Sequence, residues 1–237
     1  MSRHAASTAE TRPTYTVEDY LMAMHVMERD HGEIIAARLA ENLSVAPATV
    51  AMTLKRMERD NWISGTGRKA VHLTETGRAA AHSVTRRHML TEWLLASILK
   101  VPLPLIHDEA HGIEHAISPQ LEERMRAILG DPQVCPHGNP FPGCEHVTNK
   151  WTSLTDLPVG EPVIIRRIHE NAEDNPELLN FLIESGILPG ADAQVLNVLP
   201  FNQTLTIQIG DQAVTLGFST AGFIFVERPD CIKEKSE

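Results

Sequence analysis

The stretch EIIAARLAENLSVAPATVAMTLKRMERDNWI, residues 33–63, decides the fold of the N-terminal third. Ile35, Leu39 and Leu43 recur at helical spacing and line one face of a first helix. Leu43-Ser44-Val45 then makes a break of a few residues. Pro47 suits the first turn of a second helix, where its missing N–H would have had no partner. That second helix turns Val50, Leu54 and Met57 inward and is expected to leave Thr49, Thr53 and Lys55 outside. Two helices joined by so short a break spell a helix-turn-helix. Upstream, TVEDYLMAMHVMERDHG (16–32) opens with Thr16 and, three residues later, Asp19, which together signal a helix start. Tyr20, Leu21, Met24 and Met27 supply its apolar stripe. Downstream, Trp62-Ile63 and Val71-His72-Leu73 flank SGTGRKA (64–70), a hairpin tip carrying Arg68 and Lys69. Helix, helix-turn-helix and basic-tipped hairpin together predict a winged helix, against the plainer alternative of a small helical domain with a hairpin.

LTETGRAAAHSVTRRHMLTEWLLASIL (73–99) starts a long helix for which Thr74 is placed as the cap. Leu90, Leu94 and Ile98 form its apolar stripe, and His88 and Glu92 share another face at i, i+4. After Pro102 and Pro104 come HDEAHGIEH (107–115) and an amphipathic helix, SPQLEERMRAIL (118–129). Helices with apolar faces beyond a winged helix commonly dimerise it on a two-fold DNA site. Residues 131–150 are rich in Pro, Gly and Asn, as a turn-laden connection requires. From Trp151 the pattern changes to short strands, PVIIRRI, AQVLNVL, QTLTIQI, QAVTL and GFIFVE, with a helix PELLNFLIESG ending at Gly186. Five strands with tight turns in this length predict a small SH3-like barrel. The fold class expected is therefore α+β. Its parts are a disordered arm (1–13), a winged helix-turn-helix (14–75), an all-α metal-binding and dimerisation domain (76–140), a linker (141–150), an SH3-like β-barrel (151–228) and a tail (229–237).

Hydrophobic residues make up 42% of the 237 and charged residues 22%, the proportions of an ordinary soluble protein. No apolar run is long enough to span a membrane, and the N-terminus has no signal-peptide hydrophobic core. Cys135, Cys144 and Cys231 make no disulfide framework, so a reducing cytoplasm is the expected compartment. A net charge of −10 argues against a non-specific nucleic-acid coat and leaves room for a small basic DNA-binding surface.

HDEAHGIEH packs three histidines and three carboxylates into nine residues. On a helix, His107, His111, Glu114 and His115 fall within an arc of about 100°, and Asp108 and Ile113 point away. Gly112 costs such a helix a little stability. From the residues alone the segment is a solvated stripe, a hydrolase site or a metal cage. A hydrolase would need an open coordination position, a pocket and a poised base. The segment lacks the H-E-x-x-H pattern, and no nucleophile motif or phosphate loop occurs elsewhere. A winged-helix sensor of an organic ligand would leave the His/Glu stripes unexplained. Cys135, His137, Cys144 and His146 (C-x-H-x6-C-x-H) offer a zinc-knuckle alternative, although zinc ligand pairs are usually spaced by two or more residues.

The chain resembles the metal-dependent repressors typified by the diphtheria toxin repressor, with their iron- and manganese-responsive relatives. The likeness runs through EDYL (18–21), APATVAMTLKRMERD (46–60), LTETGR (73–78), RRHMLTEWLL (86–95), HDEAHGIEH, CPHGNPFPG (135–143) and ESGILPG (184–190). It implies a homodimeric repressor, not an enzyme, that binds a palindromic double-stranded operator when loaded with Mn2+ or Fe2+ at two sites per subunit. The primary site is implied at Asp19, His111, Glu114 and His115, with Met22 nearby. The ancillary site is implied at His88, Glu92 and His107, with Glu170 and Glu173 of HENAED from the barrel. Iron-responsive members carry methionine at the Asp19 position and cysteine at that of His111. Manganese-responsive members share the aspartate and have glutamate at the positions of His111 and Met22. Oxygen and imidazole donors suit Mn2+ or Fe2+, and Mn2+ is favoured. For DNA, Ala46, Ala48, Thr49, Met52 and Thr53 are implied on the recognition helix, with Arg38, Lys55, Arg68 and Lys69 as phosphate contacts. Met52 stands where iron-responsive members have glutamine. CPHGNPFPG matches a family turn with a structural role.

Overall fold

The computed structural model describes residues 12–66 and 71–229. The expected arm over residues 1–11, the hairpin tip with Arg68 and Lys69, and the tail with Cys231 lie outside the described residues. The chain divides into two compact units, residues 1–84 and 85–237. Residues 1–84 carry ten Lys/Arg against ten Asp/Glu, so the whole net charge of −10 belongs to residues 85–237.

In the first unit, α1 (Tyr15–His31), α2 (Ala36–Asn42) and α3 (Pro47–Arg59) precede a two-stranded hairpin of β1 (Ile63–Ser64) and β2 (His72–Leu73). An isolated bridge from Ile34 to Val71 adds a third edge to the hairpin. Leu21, Met24, Leu39, Val50, Met57 and Ile63 close one core, so the helical stripes read from sequence do converge. Two local readings change. Helix α1 starts at Tyr15 with Thr14 as its N-cap and no side-chain cap, so Thr16 lies inside the first turn. Thr53, expected outside, is buried. It follows Val50 by three residues and precedes Met57 by four, which places it on the inward arc.

Helix α4 (Glu75–Trp93) starts as expected, with the Gly77 amide donating to Thr74 Oγ1 at 2.9 Å. Glycine is needed at 77, because a Cβ there would lie 1.8 Å from the Trp62 carbonyl oxygen. The helix ends in a widened π turn, Leu94–Ile98, directly after Glu92. In the second unit, α5 (Ile106–Ile113) tightens into a 3-10 turn at Glu114–Ala116, and α6 (Pro119–Leu129) follows with Ser118 as N-cap.

The C-terminal sheet has six strands, one more than read from sequence. They are β3 (Thr152–Ser153), β4 (Pro162–Ile168), β5 (Asp192–Leu199), β6 (Thr204–Ile209), β7 (Gln212–Gly217) and β8 (Ile224–Glu227), antiparallel in the order β3-β8-β4-β5-β6-β7. Between β4 and β5 lie α7 (Glu170–Glu173) and α8 (Pro176–Glu184), and α9 (Phe218–Ala221) follows β7. Ile165, Ile168, Leu179, Leu182, Val195, Ile207, Ile224 and Val226 fill its core.

The 135–143 turn is stitched to the end of β4. Ile168 N–H donates to the His137 carbonyl and Asn139 Nδ2 to the Ile168 carbonyl, both at 2.8 Å. Gly138, at φ +92°, passes so close to this strand that a Cβ would lie 1.9 Å from the Arg166 carbonyl oxygen. The turn therefore holds His137 and Cys135 at a fixed place beside α4.

Candidate metal centre

Four elements of the second unit converge on one buried point. The i, i+4 spacing on α4 aligns His88 with Glu92, and the first turn of α5 adds His107. The 135–143 turn adds His137, and the end of α7 adds Glu173. All five residues are buried, in a region that would not hold unpaired charge without compensation. His107 Nδ1 lies 2.9 Å from Glu173 Oε2, 3.1 Å from His88 Nε2 and 3.4 Å from Glu92 Oε1. His88 Nε2 is 3.3 Å from Glu92 Oε1, and His137 Nδ1 is 3.2 Å from Glu173 Oε2 and 3.5 Å from Glu92 Oε1. One ligand atom each from His88, Glu92, His107 and Glu173 lies within 4.8 Å of the others, and the same holds for Glu92, Cys135 and His137.

A second set adjoins the first through His88. Its Nδ1 donates to Glu114 Oε2 at 2.5 Å, while Glu114 Oε1 faces His111 Nδ1 at 3.4 Å and His115 Nε2 at 3.5 Å. Helix α5 and the 3-10 turn after it thus serve two points. His107 faces His88 and Glu92, and His111, Glu114 and His115 gather about one carboxylate.

The residues fit divalent cations. Glu92 Oε2, Glu114 Oε1 and His137 Nδ1 are buried with no hydrogen-bond partner, which in a protein interior marks missing counter-charge. The metal-free cluster answers with protons. Burial disfavours the imidazolium of His88, but Glu92 and Glu114 outweigh it and raise its pKa to about 9. Burial likewise opposes charge on His107 and His137. Asp174, Glu173 and Glu92 pull His107 well above its ordinary value, and Glu173, Cys135 and Glu92 do the same for His137. Burial would raise Glu92, yet His88, His107 and His137 hold it well below the usual carboxylate range. Glu114 falls to about 2, because hydrogen bonds from His111 and His88 exceed the effect of burial. Burial, with Glu92 and Glu173 adding to it, pushes the Cys135 thiol up to about 12. The carboxylates thus draw protons onto the imidazoles, and a cation bound among them would take the place of those protons.

Several expectations meet a different placement. Glu170 does not join the cluster. Its carboxylate is taken by Arg167 at 2.9 Å, at the start of the four-residue helix that Glu173 ends. His137 and Cys135 were read as part of a structural turn or a zinc knuckle. In the structure they face Glu92, and Cys135 brings a soft sulfur donor beside the histidine–carboxylate cluster. Cys144, half-buried, packs instead with the cluster of Met89, Leu90 and Met125, and His146 is exposed. The sequence signal for His137 was the C-x-H spacing, which pairs it with Cys135 but does not point to Glu92 or Glu173. Asp19 and Met22 lie half-buried on α1, in the first unit.

In the first unit, α3 presents Ala48, Thr49, Met52 and Lys55 to solvent, with Ala46 exposed at its N-cap and Arg38 exposed on α2. Met52 is 74% exposed, a position no core demands. Arg56 and Arg59, which sequence reading passed over, are exposed on the same helix.

A winged helix followed by a buried histidine–carboxylate centre defines a metal-responsive DNA-binding regulator. Residues 14–71 match the family described as iron dependent repressor, N-terminal DNA binding domain. Residues 74–143 match its metal binding and dimerisation domain, and residues 152–228 match the FeoA domain. The chain is 34% identical over 224 residues to the iron-dependent repressor IdeR of Mycobacterium leprae (strain TN), covering 90% of this chain and 97% of the relative. It is 32% identical over 191 residues to the diphtheria toxin repressor of Corynebacterium efficiens, covering 77% and 83%. Among solved structures it resembles a manganese-dependent transcriptional repressor in complex with manganese, at TM-score 0.78 and 30% identity, covering 90% and 99%. It also resembles ScaR with bound Zn2+, at TM-score 0.75 and 26% identity, covering 91% and 100%. The chain belongs to the iron-dependent repressor family; it is a metal-responsive transcriptional repressor and not an enzyme. No described helix is long and apolar enough to cross a membrane.

Proposed function

We propose that the chain is a homodimeric repressor that binds palindromic operator DNA when loaded with Mn2+ or Fe2+ at two positions per subunit, and so controls metal-homeostasis genes. The observation that carries this reading is the buried convergence of His88, Glu92, His107 and Glu173 around donor atoms that lack partners. These four residues and His137 make the second position. His111, Glu114 and His115 belong to the first, where the family resemblance adds Asp19 and Met22. Glu170 would have to leave Arg167 to take part. The oxygen and imidazole donors favour Mn2+, and Cys135 is the one feature that favours Fe2+.

A bound cation supplies charge in place of the protons drawn onto the imidazoles. The resemblance adds Asp19 and Met22 from α1, and loading shifts the population towards the form that binds DNA. Such a shift is limited by the difference in affinity between the forms. Ile98, Leu99, Leu105, Ile113, Leu121 and Ile128 leave an exposed apolar surface on the helical module, in keeping with dimerisation. The test is an anaerobic titration with Mn2+ and with Fe2+ while operator binding is followed by fluorescence anisotropy. Metal-dependent retention is expected, and operator binding that persists unchanged in chelator overturns the proposal.

A further inference from the structure

We propose that Asp174 is a positioning residue of the second metal position, accepting the Nε2–H of His107 so that the Nδ1 lone pair is left for the cation. The inference rests on the reading of that cluster as a metal position. The two ring nitrogens of His107 face unlike surroundings. Nδ1 meets three electron-rich atoms, on Glu173, His88 and Glu92. Nε2 meets one, Asp174 Oδ1, at 3.2 Å. A neutral imidazole carries a single lone pair and a single N–H. Three converging donors on the Nδ1 side need a cation among them, so the lone pair belongs there and the proton belongs on Nε2. A carboxylate accepting that proton fixes the tautomer, orients the ring and raises the basicity of the ligating nitrogen.

Asp174 is built to stay in place although its side chain is 45% exposed. Its backbone amide closes α7 by donating to the Glu170 carbonyl at 3.1 Å. The next residue, Asn175, caps α8 by accepting from the Leu178 amide at 3.1 Å. Two helix ends therefore pin the backbone on either side of it. Glu173 and Asp174 are consecutive, so the barrel supplies both a ligand carboxylate and the carboxylate that orients the neighbouring ligand. The rival role for Asp174 is that of a ligand in an outer cation position with His107 and His111, whose ligand atoms also lie within 4.8 Å of one another. That role would take the lone pair of His107 Nε2, and a neutral ring cannot offer both nitrogens at once.

The test uses the full chain and Mn2+. Equilibrium dialysis gives affinity and stoichiometry for wild type, Asp174→Ala and Asp174→Glu. The Ala variant is expected to bind the Mn2+ of the second position roughly 10- to 100-fold more weakly with stoichiometry unchanged, and the Glu variant to recover part of the loss. In wild-type protein labelled with 15N-histidine and loaded with diamagnetic Zn2+, His107 is expected to show a protonated Nε2 and a metal-bound Nδ1. Unchanged affinity in Asp174→Ala, loss of one bound Mn2+ per chain, or coordination through Nε2 each overturns the proposal. A wild-type chain that binds no Mn2+ at the cluster overturns instead the metal reading on which it rests.

Discussion

Metal loading should release between about one and three protons per chain near neutral pH. In the metal-free protein His88, with a pKa of about 9, is an imidazolium at pH 7.5, and His107 and His137 are held well above their ordinary value by the same carboxylates. A ligand imidazole must be neutral, so each imidazolium among the three gives up its extra proton as a cation takes its place. Glu92 and Glu114, held well below the usual carboxylate range and at about 2, have none to give. By linkage each released proton steepens affinity by about a factor of ten per pH unit, so apparent Mn2+ affinity should fall between pH 8 and pH 7 by at least about 10-fold. An unperturbed imidazole would place this competition at mildly acidic pH; the carboxylates move it upward. If Cys135 binds as thiolate the count rises by about one, because its thiol near 12 is still protonated. Isothermal titration calorimetry in buffers of different ionisation enthalpy measures the count directly. Release of less than about one proton at pH 7.5 would refute the reasoning, since the imidazoles would then have been neutral before metal arrived.

Other outcomes follow from particular contacts. In chelator, His88 stabilises the fold fully below its unfolded value of 6.5 and loses that contribution as pH rises through about 9. The loss should be about 3 kcal/mol, seen as a falling melting temperature over this window. Glu114 works in the opposite direction, its contribution fading as pH drops from 4.5 towards 2. His137→Ala should weaken metal binding measured by dialysis, whereas Cys144→Ser should leave it unchanged; loss of a metal ion in the serine variant would revive the zinc knuckle. Gly77→Ala forces a Cβ against the Trp62 carbonyl and should cost about 2 kcal/mol or more in denaturant melts. Lys55→Gln, at an exposed position on α3, should lower the salt slope of operator binding by about 1 at unchanged thermal stability.

The sequence was legible where periodicity carries the information. The helix-turn-helix, the Thr74 cap and the strand pattern of the barrel all follow from spacing and turn chemistry within a window of a few residues. His88 and Glu92 are legible for the same reason, since i, i+4 fixes them on one face. The remaining ligands reach the centre by routes no local window contains. His137 arrives because Gly138 lets its turn press against β4, a contact almost thirty residues away in the chain. Glu170 and Glu173 are three residues apart and indistinguishable by pattern. What separates them is Arg167, buried at the end of β4 next to a shift in strand register and engaging Glu170. Thr53 shows the converse limit. A polar residue on an amphipathic helix reads as outward until its neighbours at i−3 and i+4 are weighed.

His88 would join the two proposed metal positions through one proton. If Nε2 ligates beside Glu92, His107 and Glu173, the remaining N–H is on Nδ1 and must be donated, and Glu114 Oε2 is the acceptor at 2.5 Å. That bond orients Glu114 and leaves its other oxygen, which lacks a hydrogen-bond partner, turned towards His111 and His115. Filling the second position therefore fixes the tautomer that aims a ligand of the first. The reverse also holds, because a cation on Glu114 Oε1 orders the acceptor that holds His88 in its ligating form. Thermodynamic linkage requires the two effects to be equal in size. Glu114→Gln keeps an oxygen for the His88 proton but removes the charge, so it should weaken binding at both positions. The barrel contributes Glu173 to this chain of contacts and Asp174 behind it. Its two carboxylates thus bear, through His107 and His88, on the cluster of Glu114.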